Sequence, residues 1–284
     1  MRVLVVGAGT MGRWLGEVVD ATVAFADADP AAADRAAAAV DDAETAPLNA
    51  GDATGARDAT DTTDATDEAE DRAFDVVCIA VPMTAAPDAV AEHASRATEA
   101  VVDVAGEMAG PVSSMREHAP DLERMSLHPL FAPENAPGSI AAVHDERGPV
   151  TDALRESLAA NGNDVFDTTV DEHDTAMESV QAGTHAAILA WQLATDDVRA
   201  EFHTPLSREL ADLAAHVTSQ EPRVYADIAE RYATGRHALA AAATRLADAD
   251  RDAFLDAFAA ATEHAHDDTT ERTGRPHDDS TDHR

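Results

Sequence analysis

The chain has 284 residues, room for two domains, and sets 55 acidic side chains against 20 basic ones, a formal charge of −35. Lysine is absent, so every fixed cation is arginine, and such a surface repels nucleic acid and anionic membranes and excludes both as partners. The hydrophobic fraction of 45% is that of a folded protein, and a single cysteine, Cys78, excludes a disulfide within the chain.

The excess of Asp, Thr and Ala without Lys suits a cytoplasm of molar salt, where a Debye length of ~3 Å screens self-repulsion. Structure or activity is therefore expected to fail on dilution. No apolar stretch approaches the ~20 residues of a membrane span. The N-terminus reads as a strand and not as a signal peptide, so a cytoplasmic protein is expected.

In chain order, an apolar run from Val3 to Val6 leads into Gly7, Ala8, Gly9, Thr10, Met11 and Gly12, and helix-compatible residues follow. A dinucleotide-binding turn requires this order. Gly7 permits the tight turn, Gly9 lets a pyrophosphate approach the backbone, and Gly12 lets the helix pack close to the strand. The helix N-terminus offers its N–H groups to phosphate. The next strand, 22–26, ends in Asp27, placed to take a ribose 2′-hydroxyl. A carboxylate repels a 2′-phosphate, so NAD is expected over NADP. The plain alternative is an ordinary tight turn.

Residues 41–73 form an acidic, low-complexity stretch with almost nothing to bury, read as a solvated loop. The continuous apolar run 75–81 then reads as a buried parallel strand containing an inert Cys78. Strands at 100–104, up to about Leu127, at 139–143 and near Val165 alternate with helices at 111–118 and 149–160. From Asp171 the pattern is helical: Met177, Val180, Ile188 and Trp191 mark one side of a long helix. Thr204-Pro205 opens another that carries Leu206, Leu210, Leu213 and Val217. The expected class is α/β: a Rossmann-like, doubly wound, mostly parallel sheet over 1–170, followed by an all-α helical domain over 171–266 that forms a homodimer. A charged tail occupies 267–284.

Three side chains stand out. His128 falls at the carboxyl end of a strand, the edge where open α/β sheets bind ligands, and Pro129 restricts its backbone. An imidazole, with an ordinary pKa of ~6.5, suits proton transfer near neutrality. The alternative is a surface histidine, one of 13 in the chain. His185 lies on one helical stripe with Gln181 and Met177, either lining a cavity or satisfied between helices. Arg208, in the first turn of the Thr204-capped helix, either holds an anion bidentately or pairs on the surface with Glu209 or Asp212. The sequence has no Cys/His zinc spacing, P-loop or serine elbow, so no metal is expected.

Together these segments resemble the prephenate dehydrogenase family from Met1 to about His266, the acidic loop excepted. The resemblance is carried by GAGTMG with Asp27, by Val102 to Pro111, by His128-Pro-Leu-Phe-Ala-Pro133, and by a helical set. That set comprises Glu172-His173-Asp174 with Met177, Gln181 and His185, then Thr204 to Arg208, then Pro222 to Asp227. It implies NAD-dependent oxidative decarboxylation of prephenate to 4-hydroxyphenylpyruvate, in tyrosine biosynthesis, by a monofunctional enzyme. By the same resemblance His128 draws off the proton of the ring hydroxyl, Arg208 holds a substrate carboxylate and His185 shapes the pocket. The family usually has Ser-x-Lys where this chain reads Gly106-Glu107-Met108; its serine is commonly a partner of the catalytic histidine, and water or Ser126 is the expected substitute. Rival readings are an arogenate or cyclohexadienyl dehydrogenase and a non-catalytic NAD-binding sensor. β-Hydroxyacid dehydrogenases use a catalytic lysine, which this chain lacks.

Overall fold

The computed structural model describes residues 1–49, 74–196 and 198–272. Eight strands lie in the order β3-β2-β1-β4-β5-β6-β7-β8. They are β1 (Arg2–Val6), β2 (Thr22–Ala26), β3 (Glu44–Thr45), β4 (Phe74–Ile79), β5 (Ala97–Asp103), β6 (Glu123–Pro129), β7 (Ser139–Glu146) and β8 (Asp164–Asp167). The first six run parallel; β7 is antiparallel to β6, and β8 is parallel to β7. The sheet is therefore mostly parallel, as expected. Its order reverses between β1 and β4, the kind of switch point at whose carboxyl edge open α/β sheets bind ligands.

The alternation of a strand explains why β1 is apolar throughout. Val3 and Val5 join one core cluster, whereas Leu4 and Val6 join the other, so both faces of the sheet are covered. One face receives α1 (Thr10–Val18), α2 (Pro30–Ala39) and α5 (Pro149–Ala160), through Trp14, Leu15, Ala33, Leu154 and Leu158. The other receives α3 (Ala86–His93) and α4 (Ala109–His118), through Val90 and Met115. Cys78 is buried, and burial pushes its thiol pKa up, as an inert core residue requires.

The acidic segment begins differently from expectation. Glu44 and Thr45 pair with Ala24 and Phe25 as an edge strand, and Ala46 and Leu48 pack on the core. Two apolar side chains and one backbone ladder suffice to tie down its start. The remainder of the expected loop, 50–73, lies outside the described residues.

The chain divides into two compact units. The first comprises Met1–Val180 and Glu221–Arg231. It takes in two helices beyond the sheet, α6 (Val170–Met177) and α9 (Pro222–Arg231). Thr169 caps α6, its hydroxyl accepting from the Glu172 amide at 3.2 Å. The second unit comprises Gln181–Gln220 and Tyr232–Arg284, and among its described residues every element is a helix. In it α7 (Thr184–Ala194) packs against α8 (Pro205–Ser219) and α10 (Ala233–Ala247), and α11 runs Arg251–Arg272. The helix thus extends past Asp267, where the sequence reads as a tail, and residues 273–284 lie outside the described part.

A π-helical turn, Glu178–Gly183, breaks what reads as one long helix. Its wider winding shifts the apolar register, so Met177 is buried while Val180 is 59% exposed. On α8, Thr204 caps and Pro205 starts the helix as expected. Ala214 and Val217 are buried, but Leu206 is 74% exposed, so this end of the leucine face is not covered by the described residues.

Candidate active site

Gly7 ends β1 at φ +101°, a left-handed conformation that an L side chain resists, and a Cβ there would meet the Ala80 carbonyl oxygen. A Cβ on Gly12 would run into the Gly7 carbonyl, which is why α1 can lie so close to the strand. At Gly9, by contrast, a Cβ would find no atom within 4 Å. Gly9 caps α1 without a side chain and, like Thr10, is exposed, so a phosphate can reach the helix amides.

Asp27 has a role that sequence reasoning missed. Its Oδ2 accepts from the Ala8 amide at 2.7 Å and its Oδ1 from the Asp29 amide at 2.8 Å. The carboxylate therefore ties the glycine turn to β2. Each oxygen keeps a further lone pair for a ribose hydroxyl. Open space at Gly9, exposed helix amides and an anchored carboxylate fit a dinucleotide.

His128 sits near the end of β6, opposite Ala141 of β7, and is 7% exposed. Its Nδ1 lies 2.8 Å from Nε2 of His173, a buried residue of α6, with the rings edge to face at 69°. His173 Nδ1 in turn lies 2.8 Å from Asp174 Oδ1. A carboxylate can only accept, so His173 Nδ1 carries a proton and donates it. In the neutral pair His173 Nε2 then accepts, and His128 Nδ1 donates to it. The acceptor atom of His128 is thereby Nε2. Burial, and secondarily the neighbouring His173, pushes the His128 pKa down to about 3, with Asp174 acting the other way. The ring is therefore neutral at any ordinary pH.

The network continues. Arg231, at the end of α9, donates from Nη2 to Asp174 Oδ2 at 2.9 Å and from Nε to Glu107 Oε1 at 2.9 Å. Glu107, 5% exposed, also accepts from the Gly110 amide at 2.9 Å at the start of α4. Gly106 precedes it at φ +82°, and a Cβ there would lie 3.1 Å from His128 Nε2. Of the expected substitutes for a serine partner, Ser126 is corrected here: it stands opposite Asp103 and makes no hydrogen bond to His128, whose partner on Nδ1 is His173. Asp103 is fully buried, and burial raises its carboxyl pKa to about 7, against the hydrogen bond from the Ala105 amide.

The carboxyl edge of the sheet thus carries Gly7, Ala8, Gly9, Thr10, Met11, Gly12, Asp27 and His128 in one unit. His185 and Arg208 stand on the neighbouring helices α7 and α8 of the second unit. His185 is half-buried, and burial lowers its pKa. Arg208 is exposed and forms no ion pair with Glu209 or Asp212, its expected surface partners. Among the described residues no three His, Cys, Asp or Glu side chains cluster to hold a metal, and no helix is long and apolar enough to cross a membrane.

Comparison with known proteins places this geometry. No family profile matches the chain. A curated relative, the 4-amino-4-deoxyprephenate dehydrogenase of Streptomyces pristinaespiralis, is 32% identical over 168 residues, 55% of this chain and 56% of the relative. The matched stretch thus spans little more than half of that protein. Among solved structures, prephenate dehydrogenase from A. aeolicus, in complex with hydroxyphenyl propionate and NAD+, superposes with a TM-score of 0.66 at 13% identity. The match covers 96% of this chain and 97% of that one. Over the matched half the chain is similar in sequence to the Streptomyces pristinaespiralis dehydrogenase, and over nearly its whole length it shares the fold of prephenate dehydrogenase. Synechocystis arogenate dehydrogenase shares the fold as well, with a TM-score of 0.60 at 14% identity over 95% of this chain and all of that one. The Gly106-Glu107-Met108 segment is where the chain departs from the Ser-x-Lys motif of the family it resembles.

Proposed function

We propose that the chain is an NAD-dependent dehydrogenase that oxidatively decarboxylates prephenate to 4-hydroxyphenylpyruvate, a step of tyrosine biosynthesis. The observation that carries this reading is His128: a buried, neutral imidazole whose Nε2 is set as acceptor by the His173 hydrogen bond, on the same sheet edge as the glycine turn. Gly7 to Gly12 would hold the cofactor pyrophosphate and Asp27 its adenosine ribose, the carboxylate disfavouring a 2′-phosphate. When bound, NAD supplies the hydride acceptor. His128 Nε2 accepts a hydrogen bond from the ring hydroxyl and takes its proton, and loss of carbon dioxide then yields the aromatic ring. Arg208 would hold a substrate carboxylate through its guanidinium, and His185 would shape the pocket.

A second reading is favoured by the curated relative, whose name places an amino group where prephenate has its hydroxyl. An acceptor nitrogen serves an N–H as well as an O–H. Arogenate, with an amine on the side chain, is the other candidate. The exposed apolar side chains of the helical unit, Leu206 and Leu213 on α8 and Phe254 and Phe258 on α11, support a homodimer. The lysine-free, acidic surface supports a halophilic, cytoplasmic enzyme.

The test is NADH formation from prephenate, arogenate and 4-amino-4-deoxyprephenate side by side in molar salt. Prephenate should be turned over, and His128→Asn should lower turnover at least ~100-fold while NAD binding persists. NAD binding without turnover of any of the three would leave a sensor in place of an enzyme.

A further inference from the structure

We propose that His173 and Asp174 form a proton relay behind His128, so that the charge of the abstracted proton comes to rest on His173 beside Asp174 and not on His128. The inference rests on the reading of His128 as the base. In the relay, the substrate proton bonds to His128 Nε2 while the Nδ1 proton passes to His173 Nε2, 2.8 Å away. His128 remains neutral throughout. His173 becomes an imidazolium whose Nδ1–H already points at Asp174 Oδ1, also 2.8 Å away. After decarboxylation the same two transfers run in reverse and return a proton to the ring oxygen. Protons and charge balance, and no co-reactant beyond the dehydrogenase reaction is needed.

The geometry supplies what a lone His128 lacks. Burial makes His128 a poor resting place for charge, because a buried cation forfeits its hydration. One ring further along, the cation meets a carboxylate. The carboxylate is itself fixed: Arg231 binds its Oδ2, and Glu107 binds Arg231. The charged and titratable groups around the pair are therefore Asp174 on α6, Arg231 on α9, Glu107 in the turn between β5 and α4, and Asp103 at the end of β5. The arrangement follows catalytic-triad logic, in which an acid orients an imidazole and stabilises its cation, lengthened by one ring. His173 and Asp174 are positioning residues, since they act on the substrate through His128.

Two measurements test the relay on the full chain in molar salt. Nitrogen-15 NMR of histidine-labelled protein should show His128 with a pyrrole-like Nδ1 and a pyridine-like Nε2; the reverse tautomer would overturn the proposal, and this needs no variant. Kinetically, Asp174→Asn should lower kcat at least ~10-fold with NAD affinity retained. It should also move the acid limb of the kcat/KM profile to lower pH, because removing the anion makes the histidine pair less basic; a merely structural role would leave that limb in place. His173→Gln keeps an acceptor for His128 Nδ1–H but cannot carry a proton, and should lose kcat to a similar extent. An inactive wild type overturns the catalytic reading and the relay with it. An active wild type whose two variants keep their kcat and acid limb overturns the relay alone.

Discussion

Gly106, at φ +82°, lies against the imidazole of His128, so close that a Cβ would stand 3.1 Å from Nε2. In the family that the sequence resembles, this position usually carries a serine. Introducing that serine should harm this protein. A non-glycine residue in the left-handed region costs ~1–2 kcal/mol, and the added Cβ crowds the acceptor nitrogen. Gly106→Ser should therefore lower the melting temperature and reduce turnover together, measured by thermal unfolding and NADH formation in molar salt. A serine variant of equal or higher activity would show that the turn relaxes.

Gly9 and Gly12 separate binding from folding. A methyl group at Gly9 meets nothing in the protein, so Gly9→Ala should fold with wild-type stability yet weaken NAD binding by occupying the pyrophosphate's approach. At Gly12 the methyl meets the Gly7 carbonyl, and Gly12→Ala should lower the melting temperature outright. Titration of NAD and thermal melts on the two variants check both halves.

Asp103 gives a pH dependence of defined sign. Burial raises its carboxyl pKa from 3.8 to about 7 in the folded protein. Between these values the native state holds a proton that the unfolded chain releases, so this residue's contribution to stability falls as pH rises through the window. Asp103→Asn keeps an oxygen for the Ala105 amide and removes the titration. The variant's melting temperature should gain on wild type from pH 5 to pH 8, and a pH-independent difference would contradict the assignment.

Arg208 is exposed on the first turn of α8 and has no carboxylate partner at Glu209 or Asp212. Arg208→Ala should raise the KM for prephenate at least ~10-fold, the scale of a lost charge-assisted pair, without changing NAD affinity. An unchanged KM would remove Arg208 from substrate binding.

Much of this molecule could be read along the chain. The glycine turn and Asp27 are local, because a strand, a tight turn and a helix start are written in adjacent residues. The apolar β1 and β4 announced a sheet covered on both faces. His128 stood out because Pro129 and its place at a strand end are local facts too. The edge strand at Glu44 and Thr45 was hidden, since an acidic two-residue strand has no hydrophobic period to reveal it. The π turn was hidden as well, because a single wider winding leaves no repeat in the sequence.

What orients His128 was decided only in three dimensions. His173 lies 45 residues further along the chain, and Arg231 lies 124 residues beyond the Glu107 it binds. A histidine followed by an aspartate has no distinctive spacing, and a buried charge shows its partner only when the chain returns to supply it. Residue order determined the kind of site at the sheet edge, because turns and strands depend on neighbours. The packing of α6 and α9 against that edge determined which nitrogen of His128 accepts, because a hydrogen bond depends on distance in space.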